Sequence, residues 1–257
     1  MRSQEVASLA RLIADARRVV AFTGAGISTQ SGIPDFRGPQ GLWTKVDPRD
    51  FTLSTYVRDA EVRKRIWRTR LERSSIDYQP NDGHRALVDM ERMGILDCVI
   101  TQNVDGLHQK AGSSTVFELH GSPATVWCLS CTRRWPSQHA LERLNAGEDD
   151  PHCLDCGGIL KSGTILFEEM LPQDVVDEAL MRAEAADLVL AVGSSLQVYP
   201  AAGIPIAAVR SGARLVIVNA EPTPLDDIAA LVIQAEAGAV LREAVASARV
   251  ERSSNHS

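Results

Sequence analysis

Several kinds of signal are missing from this chain of 257 residues. No apolar run approaches the roughly 18–20 residues that a membrane-crossing helix requires. The opening stretch, MRSQEVASLARLIADARR, is polar and charged and lacks the apolar centre of a secretory signal. An excess of positive charge is also absent. The net charge is −6, where a general nucleic-acid binder usually shows a basic patch. No internal repeat or low-complexity tract interrupts the sequence. These absences leave a cytoplasmic protein, in contact with neither membrane nor nucleic acid, as the expectation. Cysteine is scarce, with five residues in all. Four of them nevertheless fall into two C-x-x-C pairs, which in a reducing compartment read as metal ligands rather than disulfides. Hydrophobic residues make up 44%, enough for one large domain and a smaller one.

What is present alternates. Val6, Leu9, Ile13 and Ala16 recur at helical spacing, so the pattern predicts an amphipathic helix over 4–17. Short apolar, β-branched runs follow at 19–22, 96–101, 116–119, 188–192, 215–218 and 231–233, separated by helical stretches. One of these helices covers 84–93 and is closed by Gly94; another follows Ala237-Gly238. Such alternation predicts an α/β fold, a mostly parallel sheet covered on both faces. Nearly every strand ends in glycine or polar residues, and open parallel sheets bind ligands outside the carboxyl ends of their strands. Residues 51–73 are polar and helical, and most of their charges read as a solvated face.

The segment Val19 to Trp43 is the most informative. An apolar strand breaks into Gly24-Ala25-Gly26, followed by a loop rich in Ser, Gly and Pro that carries Asp35, Phe36 and Arg37. This is the shape of a nucleotide-binding strand and turn, although G-x-G alone is a weak signal. The third glycine of a dehydrogenase fingerprint would fall at Thr29, and no helical pattern starts at once, which disfavours that reading.

Cys128-x-x-Cys131 and Cys153-x-x-Cys156 are 21 residues apart, the spacing of two thiolate knuckles closing a tetrahedral four-cysteine zinc site. Four thiolates leave no open position for a catalytic water. His152 is a conceivable substitute ligand and is read as a bystander. Cys98, mid-strand, reads as a small buried hydrophobe. His84 and His108 read as structural, and His139 and His256 as exposed.

The string from Val19 to Trp43 resembles the signature GAGxSxxSGIPDFRGxxGLW of the sirtuins, NAD-dependent protein-lysine deacylases. It matches at Gly24, Ala25, Gly26, Ser28, Ser31 to Gly38 and Gly41 to Trp43. Gln102-Asn103-Val104-Asp105 is similar to the family's Q-N-[IV]-D, and Glu118-Leu119-His120-Gly121 to its E-L-H-G. The resemblance implies a Rossmann-like domain (1–121 and 164–249) with a helical insertion at about 44–80 and a small zinc module (122–163); the polar composition of 250–257 predicts a frayed tail. It implies NAD and Zn2+ as cofactors and acylated lysine side chains of proteins as substrates. In that reading the acyl oxygen attacks the ribose carbon bearing nicotinamide. His120 is the general base, and the products are free lysine, nicotinamide and O-acyl-ADP-ribose.

By the same resemblance Asn103 and Asp105 position nicotinamide and its ribose, while Gln102 holds a ribose hydroxyl. Phe36 shields the reacting carbon, Arg37 approaches the phosphates, and the Gly24, Ala25, Gly26, Ser28 and Asp35 loop wraps the dinucleotide. Gly193, Ser194 and Ser195 face phosphate or ribose, Asn219, Ala220 and Glu221 the other ribose, and the Ala237 backbone meets adenine.

Ile165, Leu166 and Phe167 lie in the string that pairs with the acyl-lysine peptide, usually V-V-x-F-G-E-x-L-P. Here Glu168 occupies the glycine position. Arg70 fits the arginine of the Y-x-x-R pair of desuccinylase-type members, with Trp67 in place of tyrosine. The alternative is one more exposed charge beside Arg63, Lys64, Arg65, Arg68 and Arg73. Mono-ADP-ribosyl transfer, NAD hydrolysis or a non-catalytic zinc-dependent binding module stand as alternative functions.

Overall fold

The computed structural model describes residues 2–39 and 41–255; His256 lies outside them. The strands are β1 (Val19–Thr23), β2 (Leu96–Thr101), β3 (Val116–Glu118), β4 (Gly121–Cys128), β5 (Arg134–Pro136), β6 (Leu160–Thr164), β7 (Leu188–Val192), β8 (Arg214–Asn219) and β9 (Leu231–Gln234). The helices are α1 (Arg2–Asp15), α2 (Leu53–Arg58), α3 (Ala60–Ser74), α4 (Asp82–Arg92), α5 (Leu107–Ala111), α6 (Gln138–Asn145), α7 (Gln173–Glu184), α8 (Gly203–Arg210) and α9 (Ala237–Asn255). The chain divides into two compact units. No helix among the described residues is long and apolar enough to cross a membrane.

The first unit takes residues up to Gly38, Tyr78–Leu119, and those from Gln173 onward. Its six strands run parallel in the order β3-β2-β1-β7-β8-β9. β1 and β7 are buried at every residue, because both faces of the sheet are covered. On one face Leu9 and Ile13 of α1, Leu87 and Met90 of α4, and Leu241 and Ala244 of α9 form one core with β1, β7 and β8. Sequence order reverses between β1 and β7, so their carboxyl ends form the topological switch point. The expected frayed tail is corrected here: α9 continues to Asn255. Arg252 anchors it, donating to the carbonyls of Ala14, in the last turn of α1, and Ala16, just past its end.

The second unit takes Pro39–Asp77 and His120–Pro172. An antiparallel sheet, β5-β4-β6, is its centre. The helical insertion belongs to this unit rather than to the parallel-sheet domain, which revises the expected division. Tyr56 of α2 donates its hydroxyl to Leu160 O at 2.7 Å. Arg63 of α3, expected on a solvated face, is buried. Its guanidinium reaches Asp150 at 2.8 Å and the carbonyls of Tyr56 and Val57.

Two further side chains are buried in the first unit. His84 of α4 and His108 of α5 have ring centroids 4.8 Å apart. Burial lowers His84 to about 4, partly opposed by Asp105. Burial, reinforced by His84, lowers His108 to about 3. Both rings are therefore neutral, and the His108 Nε2 lies 2.9 Å from Thr23 Oγ1. Unfolded histidines titrate near 6.5, so below that pH the unfolded chain binds protons that the folded chain refuses. Stability should fall as pH drops from about 6.5 toward 4, by up to about 1.4 kcal/mol per unit for each histidine. Urea midpoints measured across this range check the slope, and the double variant His84→Gln, His108→Gln should flatten it. A wild-type profile already flat between pH 6.5 and 5 would contradict the account.

Candidate functional site

In the first unit most of the predicted residues gather at the carboxyl ends of β1, β2 and β7. β1 does not lead into a long helix. Two short 3-10 turns follow, Ala25–Ile27 and Thr29–Ser31. The reason for the glycines differs from simple ligand access. A Cβ on Gly24 would lie 2.8 Å from Gly193 O, and one on Gly26 2.8 Å from Gly193 O and Cα. The two turns touch backbone to backbone, joined by Gly26 N–H to Gly193 O at 2.8 Å.

Around this contact the polar side chains are tied together. Ser28 Oγ donates to Asp105 Oδ2 at 2.7 Å, and Asn103 Nδ2 donates to Gly24 O at 3.1 Å and Ser28 Oγ at 3.3 Å. Gln102 Nε2 donates to Ser194 Oγ at 2.8 Å. Asp105 also accepts the Leu107 amide, which starts α5, and Val104 lies half-buried between. Asp35 caps its own loop through the Gly38 amide, and Phe36 and Arg37 are exposed. At the end of β8, Asn219 donates to Glu221 O at 2.8 Å, with Ala220 and Glu221 exposed. Ala237 is buried at the start of α9, and Ser195 is half-buried in the turn after β7. An accepting carboxylate, a side-chain amide, several hydroxyls and an exposed, donating guanidinium are a set of groups that fits a dinucleotide.

Sequence reasoning missed Asn81. Its Oδ1 accepts the Gly83 amide, and its Nδ2 reaches Ile27 O and Ser31 Oγ, pinning the first loop to α4. The capping pattern Asn-x-x-His at 81–84 was the available signal.

In the second unit His120 opens the chain immediately after Leu119, whose amide is bonded to Thr101 O. The His120 carbonyl accepts the Ile165 amide at 2.8 Å. The glycine that follows is required: Gly121 has φ +67, and a Cβ there would collide with Gly163 O. Phe167 exchanges bonds with another segment, its amide donating to Phe51 O at 2.9 Å and its carbonyl accepting from Leu53 N at 3.0 Å. Leu166 is buried and Phe167 is 43% exposed.

Trp67 is corrected. Its indole is buried with Val126, Cys128, Ala140, Leu144, Cys153 and Leu160, which makes it a core residue of this unit. Arg70 is not one more exposed charge. It is half-buried, donates to Thr164 Oγ1, and burial lowers its guanidinium to about 10.

Cys128, Cys131, Cys153 and Cys156 converge, their sulfurs all within 4.8 Å of one another. The Cys128–Cys156 and Cys131–Cys153 pairs are 3.5 and 3.8 Å apart. A tetrahedron with metal–sulfur bonds of about 2.3 Å has sulfur–sulfur edges of about 3.8 Å, so the four thiols fit zinc. His152 points elsewhere, with Nδ1 2.9 Å from Gly157 O. His139 is half-buried and stacked on Trp135, rather than exposed. Metal removal by a chelator, or Cys128→Ala, should loosen the second unit and lower its melting temperature, because structural zinc binding is folding free energy. An unchanged melting temperature in metal-free protein would rule out the site.

Known proteins give an independent reading. The Sir2 family pattern matches residues 24–200. NAD-dependent protein deacetylase 2 of Streptomyces coelicolor is 50% identical over 228 residues, covering 87% of this chain and 94% of the relative. A solved structure concerned with the mechanism and regulation of Sir2 enzymes superposes with a TM-score of 0.91 at 42% identity, covering 97% of this chain and all of the other. A Sir2 protein solved with a p53 peptide and NAD+ gives 0.82 at 37% identity, covering 97% and 98%. The chain belongs to the Sir2 family, the sirtuins.

Proposed function

We infer that this chain is an NAD-dependent protein-lysine deacylase, transferring the acyl group to ADP-ribose with release of nicotinamide, and that deacetylation is its default activity. The observation that carries the reading is the knot of Ser28, Asn103 and Asp105 at the ends of β1 and β2. One amide and one carboxylate, held by a shared hydroxyl, supply what a nicotinamide carboxamide and its ribose need. The Streptomyces relative bears the deacetylase name, and the solved relative bound both peptide and NAD+.

Bound NAD supplies an electrophilic ribose carbon and a stable leaving group. The rest falls on this chain's residues. Asn103 and Asp105 orient the nicotinamide end, and Gln102 holds a ribose hydroxyl. The Gly24–Gly26 turn, Ser194, Ser195 and Arg37 take the phosphates. Asn219, Ala220 and Glu221 serve the adenosine ribose, and the Ala237 backbone meets the base. Phe36, exposed in its loop, covers the reacting carbon and excludes water. His120 takes the proton from a ribose hydroxyl, a task suited to imidazole near pH 7. Ile165, Leu166 and Phe167 receive the acyl-lysine segment as an added strand. Cys128, Cys131, Cys153 and Cys156 would hold zinc as a structural ion of the second unit, with all four positions taken by thiolates and none left for a reacting group. A cytoplasmic location accords with five cysteines that form no disulfide.

Arg70 extends the reading to acidic acyl groups. Among the described residues no carboxylate pairs with it, and a partly desolvated guanidinium without a counter-charge suits a bidentate succinyl carboxylate. Trp67 lies buried in the core of this unit, one turn of α3 before Arg70.

His120→Ala should leave NAD binding intact and lower turnover by roughly 10²–10⁴-fold. Nicotinamide release, followed with and without an acetylated peptide, checks this. Strict peptide dependence supports deacylation, release without peptide points to NAD hydrolysis, and near-normal turnover in the variant removes His120 from the chemistry. For Arg70→Met, the ratio of kcat/KM for succinyl- over acetyl-lysine peptide should fall at least about tenfold, the scale of one charge-assisted pair. An unchanged ratio excludes Arg70 from acyl recognition.

A further inference from the structure

The segment expected to receive the peptide ends in a turn that this sequence builds in an unusual way. Glu169 N donates to Leu166 O at 3.1 Å, closing four residues in which Glu168 is third and has φ +74. That left-handed slot favours glycine, because a side chain there crowds the following carbonyl. The family string carries glycine at this position, whereas this chain carries glutamate.

Two adjacent carboxylates hold the turn. Glu169 faces inward: its Oε2 accepts the Leu166 amide at 2.7 Å and lies 3.0 Å from the buried Lys161 Nζ. Lys161 in turn donates to the carbonyls of Ser162 and Thr164, so this pair fixes the approach to the turn. Glu168 faces outward. Its Oε2 accepts the Ser54 amide at 2.9 Å and its Oε1 the Ser54 hydroxyl at 3.0 Å. Ser54 is the second residue of α2, so the carboxylate serves one of the unpaired amides of that helix's first turn. Phe167 is stitched to the same place through Phe51 and Leu53. The Ser54 bonds keep the Glu168 carboxyl below the usual range, so it is charged throughout neutral pH.

We propose that Glu168 is a positioning residue for the acyl-peptide: its carboxylate fastens the peptide-receiving turn to the start of α2, holding from outside a backbone conformation that glycine would adopt unaided. The proposal rests on the reading that residues 165–167 receive the peptide. It makes α2 part of the support for the groove, and links peptide affinity to a helix that need not touch the peptide.

The test compares Glu168→Ala, Glu168→Gly and Ser54→Ala with the wild-type enzyme. Alanine loses the tether and keeps the strain, whereas glycine loses both. Peptide KM should rise about two- to tenfold in Glu168→Ala, the scale of one lost helix cap, and less in Glu168→Gly, while the KM for NAD stays at the wild-type value. Hydrogen exchange at residues 51–57 and 165–170 should quicken in Glu168→Ala. The effects of Glu168→Ala and Ser54→Ala should also be non-additive, since the serine variant removes one of the two bonds that the glutamate variant removes, the hydroxyl bond, and keeps the amide bond. Unchanged exchange overturns the tether, and an alanine variant with peptide KM no higher than the glycine variant overturns the positioning role. A series of acetyl-lysine peptides of increasing length tests the groove separately. If flanking residues do not lower KM in wild-type enzyme, the strand-addition reading fails. Length dependence that persists beside silent Glu168 variants sinks the present proposal alone.

Discussion

The closeness of two turns governs the first unit. The turn after β1 and the turn after β7 meet with their backbones in contact, at the point where the sheet reverses its order. No side chain fits between Gly24 or Gly26 and Gly193, so the separation of β1 and β7 above the sheet is set by main-chain atoms alone. Backbone contact is stiffer than side-chain contact because it has no rotamers to exchange. The positions of Ser28, Asn103, Asp105 and Ser194 follow from it, since each is bonded to one of these turns or to a side chain that is. Preorganisation of the polar groups is therefore a property of the sheet's connectivity.

The second unit is held differently. Its antiparallel sheet has only three strands, too few to bury a large core. Three devices compensate: the four-thiol cluster, the buried Trp67, and long-range polar contacts such as Arg63 with Asp150 and Lys161 with Glu169. Each buried charge here has a partner or several carbonyls, as desolvation demands. Arg70 departs from this rule, having a hydroxyl in place of a carboxylate.

The sequence disclosed the parallel sheet because its strands are buried on both faces and so read as unbroken apolar runs: Val19 to Phe22 and Leu188 to Val192 need no partner to be recognised. The cysteines were equally legible, since chelation imposes a local spacing. Contacts between distant positions were not. Tyr56 with Leu160 and Arg63 with Asp150 join residues about a hundred positions apart and leave no period in the sequence, so the insertion looked like an appendage of the wrong domain. Trp67 was misread for a related reason: a motif fixed its position along the helix, while the core of the zinc unit fixed the face it occupies. The tail beyond Val250 is polar by composition, yet Arg252 gains two carbonyl partners at the end of α1 that no local rule anticipates.

The strand order also has a consequence for how the molecule comes into being. β1 is a central strand, but one of its two neighbours, β7, lies at Leu188–Val192, and α9, which helps bury α1, ends at Asn255. During synthesis an emerging chain presents β1 with an open, apolar edge until most of the protein has been made. Closing so long a loop is slow, and an unpaired central strand is a template for association with other chains. The arrival of β7 is thus what closes that edge, and a chain halted before Leu188 carries β1 paired on one side only.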